Sequence, residues 1–310
     1  MSAIDPIVIQ EVAPRDGLQI EAQWVPTEDK VRLIDALSTM GFSRIEVSSF
    51  VSAKAVPALK DAAEVFARIQ RRPGVIYVAL VPNRRGAENA IAARADEINM
   101  VMSASDTHNR ANVGMTGEAS FAAFAEVAQL AKAAGVPLNG SIATAFGCPF
   151  EGRQAPDRVL GLVRRYLDLG VEGITLADTT GMANPAQVAA LVAQALELIP
   201  ATGLTLHFHN TRGLGLANVL AAYGAGARRF DAALGGLGGC PFAPGASGNI
   251  CTEDTVNMAH DMGMETGLNL AGLIALSRTL PPLIGHDLPG QVVKAGRTLD
   301  LHPTPIRLMA

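Results

Sequence analysis

Cysteine is scarce in this sequence, and neither sign of charge is in large excess. The three cysteines are Cys148, Cys240 and Cys251, and no two of them form a C-x-x-C pair. An odd count without paired spacing argues against a disulfide framework or a structural zinc site and fits a reducing cytoplasm. The net charge is −4, so the chain lacks the basic surface of a nucleic-acid-binding protein.

Long apolar runs are also absent. No run reaches the ~18 residues that a membrane-spanning helix needs. The N-terminal stretch MSAIDPIVIQ has no basic segment followed by an apolar one, so we expect no signal peptide. The chain has 310 residues, of which 49% are hydrophobic. This is enough apolar material for a full core, and it is too much for a disordered protein.

Short apolar segments alternate with helix-like ones along the chain. We predict eight strands, in the segments IVIQEV, RIEVSSF, VIYVALV, EINMVMS, LNGSIATAF, GITLAD, LTLHFHN and RFDAALGG. The segment TEDKVRLIDALSTMG is typical of the intervening helices, with Thr27 as the predicted N-cap, acids in the first turn and Gly41 beyond the end. Such alternation implies parallel strands joined through βαβ units.

The pattern predicts a TIM (β/α)8 barrel with an additional C-terminal helical segment. Eight strand–helix units within about 260 residues match the size of that fold. The alternative is an open doubly wound sheet, but no G-x-G-x-x-G sequence follows the first strand. TEDTVNMAHDMG and NLAGLIALSRTL follow the eighth strand and predict the last barrel helix and an added one. We expect one catalytic domain over residues 1–310, with the C-terminal extension at about 265–310.

Polar side chains gather where the predicted strands end, and TIM barrels build their active sites at those ends. The candidates are Arg15 and Asp16 after the first strand, Glu46 and Ser49 on the second, Asp178 on the sixth, His207 and His209 on the seventh, and Cys240 and Asn249 in the segment GGLGGCPFAPGASGN after the eighth.

The pair His207 and His209 indicates a metal site. Residues two apart on a strand point to the same side, so both imidazoles can face one ion. The carboxylate of Asp16 adds an oxygen ligand, and this mixed set suits Mg²⁺, Mn²⁺ or a similar divalent ion. Asn249 is a further oxygen donor, which leaves two ligand positions for substrate. The alternative is two hydrogen-bonded histidines in the core.

The remaining candidates each allow a structural and a chemical interpretation. Arg15 either pairs with an acid at a turn or stabilises a developing oxyanion. Glu46 is a buried acid that needs a partner, for which Arg15 is suited. Asp178 either supports the site or caps the turn after its strand. Cys240 is either incidental to its flexible segment or a reagent, whereas we interpret the other two cysteines as small buried apolar residues.

Five segments occur in the order of a known family. They are APRDGLQ, IEVSSFVS, FGCPFEG, HFHN and GGLGGCPFAPGASGNICTED. Together they resemble the 3-hydroxy-3-methylglutaryl-CoA lyase family over nearly the whole chain. The resemblance implies homodimers, a divalent metal held by Asp16, His207, His209 and Asn249, and catalytic roles for Arg15, Glu46, His207 and Cys240.

The implied reaction is a retro-Claisen cleavage of 3-hydroxy-3-methylglutaryl-CoA to acetoacetate and acetyl-CoA, a step of leucine degradation. His207 or Asp16 would take the hydroxyl proton, and Arg15 would stabilise the enolate. A thiol with a pKa of about 8.5 is protonated at neutral pH, so Cys240 would protonate the enolate carbon. We expect Arg15, Ser49 and Asn249 to contact the acyl-CoA substrate.

Three alternatives to this reaction remain open. The first is a lyase for a related thioester, such as citramalyl-CoA or a longer hydroxyglutaryl-CoA. The second is a Claisen-condensing synthase on the same barrel, and the third is a non-catalytic metal-binding scaffold. The sequence also departs from the family pattern at Ala55, where an aromatic residue is common, at Asn210, where many members have an acid, and at Phe242, where tyrosine is frequent. The departures near the second strand and in the cysteine-containing segment, at Ala55 and Phe242, bear on the acyl substrate.

Overall fold

Eight parallel strands form a closed barrel in a computed structural model that describes residues 5–239, 245 and 247–301. The barrel strands are β1 (Val8–Glu11), β2 (Arg44–Ser49), β3 (Ile76–Val81), β4 (Glu97–Ser103), β5 (Leu138–Ala143), β8 (Gly173–Asp178), β9 (Leu204–Phe208) and β10 (Arg229–Ala232). A short antiparallel hairpin, β6 (Gly147–Cys148) and β7 (Gly152–Arg153), follows β5. Strand β1 pairs with both β2 and β10, which closes the sheet. The prediction of a TIM barrel is confirmed, with one barrel strand in each predicted segment.

Helices surround the barrel between the strands. They are α1 (Thr27–Leu37), α2 (Ala62–Arg68), α3 (Arg84–Ala92), α4 (Asp106–Val113), α5 (Gly117–Ala134), α6 (Pro156–Asp168), α7 (Pro185–Ala195), α8 (Gly215–Gly224) and α9 (Thr252–Asp261). The predicted N-cap at Thr27 is wrong. Helix α1 begins at Thr27 itself, so Pro26 occupies the N-cap position. The Thr27 hydroxyl does not cap the helix and donates instead to Asp61 Oδ2 at 2.8 Å.

The added C-terminal segment is helical, as predicted. It contains α10 (Leu270–Ser277), α11 (Pro281–Ile284) and α12 (Val292–Ala295), and the predicted extension past residue 301 lies outside the described residues. After α11 the segment packs against the glycine-rich turn that follows β10, where the Gly290 amide donates to the Gly235 carbonyl oxygen at 3.1 Å. No helix in the described ranges is long and apolar enough to cross a membrane.

The strands are buried on both faces, as parallel strands covered by helices must be. Every residue of β5 and of β8 is buried. Gly140 on β5 shows how closely the helices approach, since a Cβ atom there would lie 2.4 Å from the ring of Tyr166 on α6. The Tyr166 hydroxyl lies 3.1 Å from the carbonyl oxygen of Met100 and satisfies its polar end inside the core.

Candidate active site

The carboxyl ends of the barrel strands surround a cavity of about 540 Å³. Of the residues predicted from the sequence, the cavity wall includes Arg15, Asp16, Ser49, His207 and His209. Gly239 also lines the cavity, so the described chain reaches it one residue before Cys240, which itself lies outside the described residues. A concave, partly polar cavity at this end of a barrel is the usual place for a substrate.

A turn of π-helix after β1 places Arg15 and Asp16 at the cavity. Within the turn, Ala13–Gly17, the amides of Arg15, Asp16 and Gly17 all donate to the Val12 carbonyl oxygen, at 3.1, 2.7 and 3.3 Å. Such wide turns occur often at functional sites. The turn therefore brings two adjacent charged side chains to one end of the barrel.

Asp16, His207 and His209 form a cluster whose ligand atoms lie within 4.8 Å of one another. The two Nε2 atoms of the histidines are 3.0 Å apart, and Asp16 Oδ2 lies 3.8 Å from His207 Nε2 and 3.6 Å from His209 Nε2. All three residues are buried. Two imidazoles and one carboxylate that converge in this way are a possible site for a divalent metal ion.

Asp231 orients His207 from behind. The Nδ1 atom of His207 lies 3.1 Å from Asp231 Oδ2, which leaves Nε2 to face the cluster. A carboxylate that holds the second nitrogen of a histidine is the usual support of a metal ligand. Burial lowers the pKa of His207, but Asp231 and Asp16 outweigh that effect and raise the pKa above its ordinary value.

Asn249 stands next to the cluster with its oxygen unused. Its Nδ2 donates to Asp16 Oδ2 at 2.7 Å and to the Leu237 carbonyl oxygen at 2.9 Å. Its buried Oδ1 has no hydrogen-bond partner among the described residues. A buried oxygen without a donor is costly, and a cation beside Asp16 would satisfy it. The donor set thus fits a hard divalent ion.

Arg15 links the cluster to Glu46. Its Nε donates to Glu46 Oε2 at 2.6 Å, and its Nη1 forms an ion pair with Asp16. Burial lowers the pKa of Arg15, but the two carboxylates outweigh this and raise it. Burial raises the pKa of Glu46, and Arg15 opposes that rise. A guanidinium held by two carboxylates at the cavity wall is in place to stabilise negative charge on a ligand.

Asp178 supports a turn behind the cavity wall. Its Oδ1 accepts from the amides of Met182 and Ala183 at 2.8 and 3.1 Å, in the segment between β8 and α7. Burial raises its pKa to about 6. These contacts are those of a cap for the turn, and a catalytic role for Asp178 stays a prediction.

Gly238 in the glycine-rich segment lies close to Asn249 and Asp16. Gly238 has a φ of +106°, and a Cβ atom there would lie 2.5 Å from Asn249 Nδ2 and 3.1 Å from the Asp16 carbonyl oxygen. Only glycine fits both the backbone conformation and the close approach. At least one glycine before Cys240 is therefore required by the packing around Asp16.

Two buried acids that the sequence analysis missed hold the start of this segment. Glu11 Oε1 accepts from the amides of Ala13 and Leu234 at 2.8 and 2.9 Å. Glu253 Oε2 accepts from the amide of Gly235 at 2.9 Å. Both acids are fully buried. The sequence did contain a signal for Glu11, which is an acid inside the apolar segment IVIQEV, because buried acids are rare without a partner.

The HMGL-like family model matches residues 6–280. The chain belongs to the HMGL-like family. This HMGL-like protein is 43% identical over 285 residues to hydroxymethylglutaryl-CoA lyase of Bacillus subtilis, a match that covers 92% of this chain and 95% of that protein. It is also 43% identical over 303 residues to (R)-citramalyl-CoA lyase of Chloroflexus aurantiacus, with 94% and 96% covered.

A solved structure resembles the HMGL-like chain still more closely. The HMG-CoA lyase of Acinetobacter baumannii, in complex with coenzyme A and 3-methylmalate, is 61% identical and superimposes with a TM-score of 0.96. That match covers 98% of this chain and all of the other. The comparison places the barrel and its C-terminal helices in one HMGL-like fold.

The positions where this HMGL-like protein departs from the family pattern lie in different places. Ala55 lines the cavity. Asn210 points away from the cluster, since its Oδ1 accepts from the Gly215 amide at 3.0 Å at the start of α8. Phe242 lies outside the described residues. Of the two departures that the structure describes, Ala55 is the one with a direct bearing on what the cavity holds.

Proposed function

We propose that this protein is a divalent-metal-dependent carbon–carbon lyase that cleaves 3-hydroxy-3-methylglutaryl-CoA to acetoacetate and acetyl-CoA. The observation that carries the proposal is the convergence of Asp16, His207 and His209 on one point of the cavity wall, beside the guanidinium of Arg15. The names of the similar proteins support the same reaction.

Asp16, His207, His209 and Asn249 would hold the metal. When bound, a divalent ion supplies Lewis acidity toward the hydroxyl and carboxylate oxygens of the substrate. The chain's own contribution begins with orientation, because Asp231 fixes the ring of His207 and Asn249 fixes Asp16.

The reaction needs two proton movements. His207 or Asp16 accepts the proton of the tertiary hydroxyl, whose oxygen becomes the ketone of acetoacetate as the carbon–carbon bond breaks. The bonding electron pair passes to the acetyl-CoA fragment as an enolate. Arg15, held by Glu46, stabilises the enolate oxygen. Cys240 donates the proton that completes acetyl-CoA.

Ser49 is suited to bind the acyl part of the substrate. Its side chain is buried at the end of β2 and lines the cavity. Its hydroxyl has no hydrogen-bond partner within the described part of the chain. A substrate oxygen would satisfy that hydroxyl and gain orientation from it.

Product analysis tests the proposal. The purified protein is incubated with 3-hydroxy-3-methylglutaryl-CoA, and acetyl-CoA and acetoacetate are measured in parallel. Equal amounts of both are expected, with loss of activity after chelation and recovery on adding Mg²⁺ or Mn²⁺. The absence of cleavage by the metal-loaded protein would refute the proposal.

A related thioester is the second candidate substrate. The similarity to (R)-citramalyl-CoA lyase equals that to the Bacillus enzyme, and the Acinetobacter structure contains 3-methylmalate. The same assay with citramalyl-CoA distinguishes the two, because pyruvate then replaces acetoacetate as the second product. The substrate with the higher kcat/KM decides between them.

The resemblance also supports a homodimer that works in the cytoplasm, with the chain as one catalytic domain. Sedimentation of the purified protein measures the assembly. A monomer at the concentrations used for the activity assay would contradict the proposed dimer.

A further inference from the structure

A row of hydrogen-bonded amides and hydroxyls connects the neighbouring strands β4, β5 and β8 beside the cavity. It joins Asn99 on β4, Asn139 and Ser141 on β5, and Thr175 on β8, all of them buried. Asn99 Nδ2 donates to Glu46 Oε1 at 2.9 Å, so the row is connected to the Arg15–Glu46 pair. Asn99, Ser141 and Thr175 line the cavity, whereas Asn139 is not part of its wall.

The ion pair sets the direction of every bond in the row. Glu46, paired with Arg15, accepts hydrogen bonds, so the amide nitrogen of Asn99 must face it and Asn99 Oδ1 must face β5. That oxygen accepts from Asn139 Nδ2 at 3.0 Å and from Ser141 Oγ at 2.7 Å. Asn139 therefore presents its amide nitrogen to the row.

The last member of the row is left with a free donor. Asn139 Nδ2 also donates to Thr175 Oγ1 at 3.0 Å. Because the Thr175 oxygen accepts this bond, its hydroxyl proton remains available, and no acceptor in the described ranges takes it. Thr175 lies on the cavity wall, so the proton can reach a ligand there. A donor in this position suits an oxygen that carries negative charge.

We propose that Asn139 and Asn99 are positioning residues that transmit the orientation of the Arg15–Glu46 pair to the Thr175 hydroxyl. The row presents that hydroxyl as a donor to the free carboxylate of the acyl group. This inference rests on the proposed lyase function and concerns how the same site selects its substrate.

A purely structural role for the row makes a different prediction. If these amides only fill the core, then removing Asn139 or the Thr175 hydroxyl lowers kcat/KM equally for thioesters with and without the carboxylate. If Asn139 acts through Thr175, the loss is confined to the carboxylate-bearing thioester, and the second substitution adds little to the first. Because the two residues are in direct contact, the double-mutant cycle is read together with this comparison of thioesters.

The cycle uses Asn139→Leu, Thr175→Val and the double variant. Each variant is assayed with the best carboxylate-bearing thioester and with 3-hydroxy-3-methylbutyryl-CoA, which lacks the carboxylate. We expect each single substitution to lower kcat/KM for the first thioester by about 10- to 100-fold, the scale of one lost hydrogen bond to a charged group. We expect the double variant to have the kcat/KM of the less active single variant. Thr175→Ser, which keeps a hydroxyl, should retain most of the parent's kcat/KM.

The carboxylate-free thioester should be cleaved with similar kcat/KM by all three variants and the parent. Thr205→Val is the matched control, because Thr205 is a buried threonine in register with Thr175 on the adjacent strand β9 and is not part of the cavity wall. It should behave as the parent does with both thioesters. Should Asn139→Leu fail to fold, Asn139→Ser replaces it, because its smaller polar side chain also interrupts the row.

Two results overturn the inference. One is a multiplicative loss in the double variant, and the other is an equal loss on both thioesters. If the parent protein cleaves no carboxylate-bearing thioester, the proposed function itself fails, and that result is distinct from either of the two.

Discussion

Glu11→Gln is expected to remove a pH dependence of stability while keeping the hydrogen bonds from the Ala13 and Leu234 amides. Burial, with a smaller contribution from Glu253, raises the pKa of Glu11 from 4.5 to about 8. The native protein therefore keeps a proton on Glu11 that the unfolded chain releases above pH 4.5. The resulting stabilisation is present in full below that pH and is lost progressively as the pH rises toward 8.

The magnitude follows from the width of this window. Between pH 4.5 and about 8, each pH unit lowers the free energy of unfolding by about 1.4 kcal/mol. Glu11 therefore lowers the unfolding free energy of the parent by about 3 kcal/mol between about pH 5 and about pH 7.5. Glutamine does not titrate, and its oxygen can still accept from Ala13 and Leu234, as Glu11 Oε1 does. The Thr252 hydroxyl donates to Glu11 Oε2 at 2.8 Å, and the glutamine amide nitrogen would reverse this bond by donating to the Thr252 oxygen.

Urea unfolding of parent and variant at the two pH values measures the effect. The difference in unfolding free energy between Glu11→Gln and the parent should grow by about 3 kcal/mol in favour of the variant as the pH rises. Glu197→Gln, on the exposed surface between α7 and β9, serves as the control and should follow the parent. A Glu11→Gln variant that keeps the parent's difference between the two pH values would show that Glu11 is ionised in the native state.

Three further predictions concern the proposed chemistry. Asp16→Ala should weaken Mn²⁺ binding as well as turnover, and calorimetry that gives the parent's affinity would contradict its assignment as a ligand. Arg15→Gln should lower kcat by ~10²–10³-fold and also lower the melting temperature, because it leaves buried carboxylates unpaired. Adding Glu46→Gln should recover part of the melting temperature but not the rate, and recovery of both would assign Arg15 a structural role only. Cys240→Ser should bind metal yet lose most activity, whereas Cys148→Ser, at a buried thiol, should retain it; near-normal turnover of Cys240→Ser would require another proton donor.

The barrel could be predicted because its strands are apolar and its longer helices are periodic. Boundaries depended on local geometry that the sequence does not reveal. The segment LNGSIATAF suggests a strand as far as Phe146, but β5 ends at Ala143 because Thr144 adopts a φ of +53°. Helix α4 was not predicted because it is short and polar, and it depends on its ends, where Ser105 Oγ accepts from the His108 amide and Gly114 has a positive φ.

The convergence of Asp16, His207 and His209 could be predicted from their positions in the sequence, but the residues that support them could not. Residues two apart on a strand face one way, and this was enough to bring His207 and His209 together. Asp231 reaches His207 because the two residues are paired in the register between β10 and β9. The row through Asn99 and Asn139 likewise depends on which strands are neighbours in the closed barrel. These contacts join strands that are distant in the sequence, so they could not be assigned from the individual segments.

The closure of the barrel between β1 and β10 completes the cluster of Asp16, His207 and His209. Asn249 donates to Asp16 across 233 positions of the sequence, and His207 lies on the strand next to β10. The cluster therefore forms only when the first strand has joined the last ones, and among the described barrel strands this pairing has the largest sequence separation. An ion that binds only the closed barrel stabilises the pairing of β1 with β10 by its binding free energy. Metal-loaded protein should consequently resist separation of its N-terminal strand, and a fragment without β1 should lose the site while retaining both histidines.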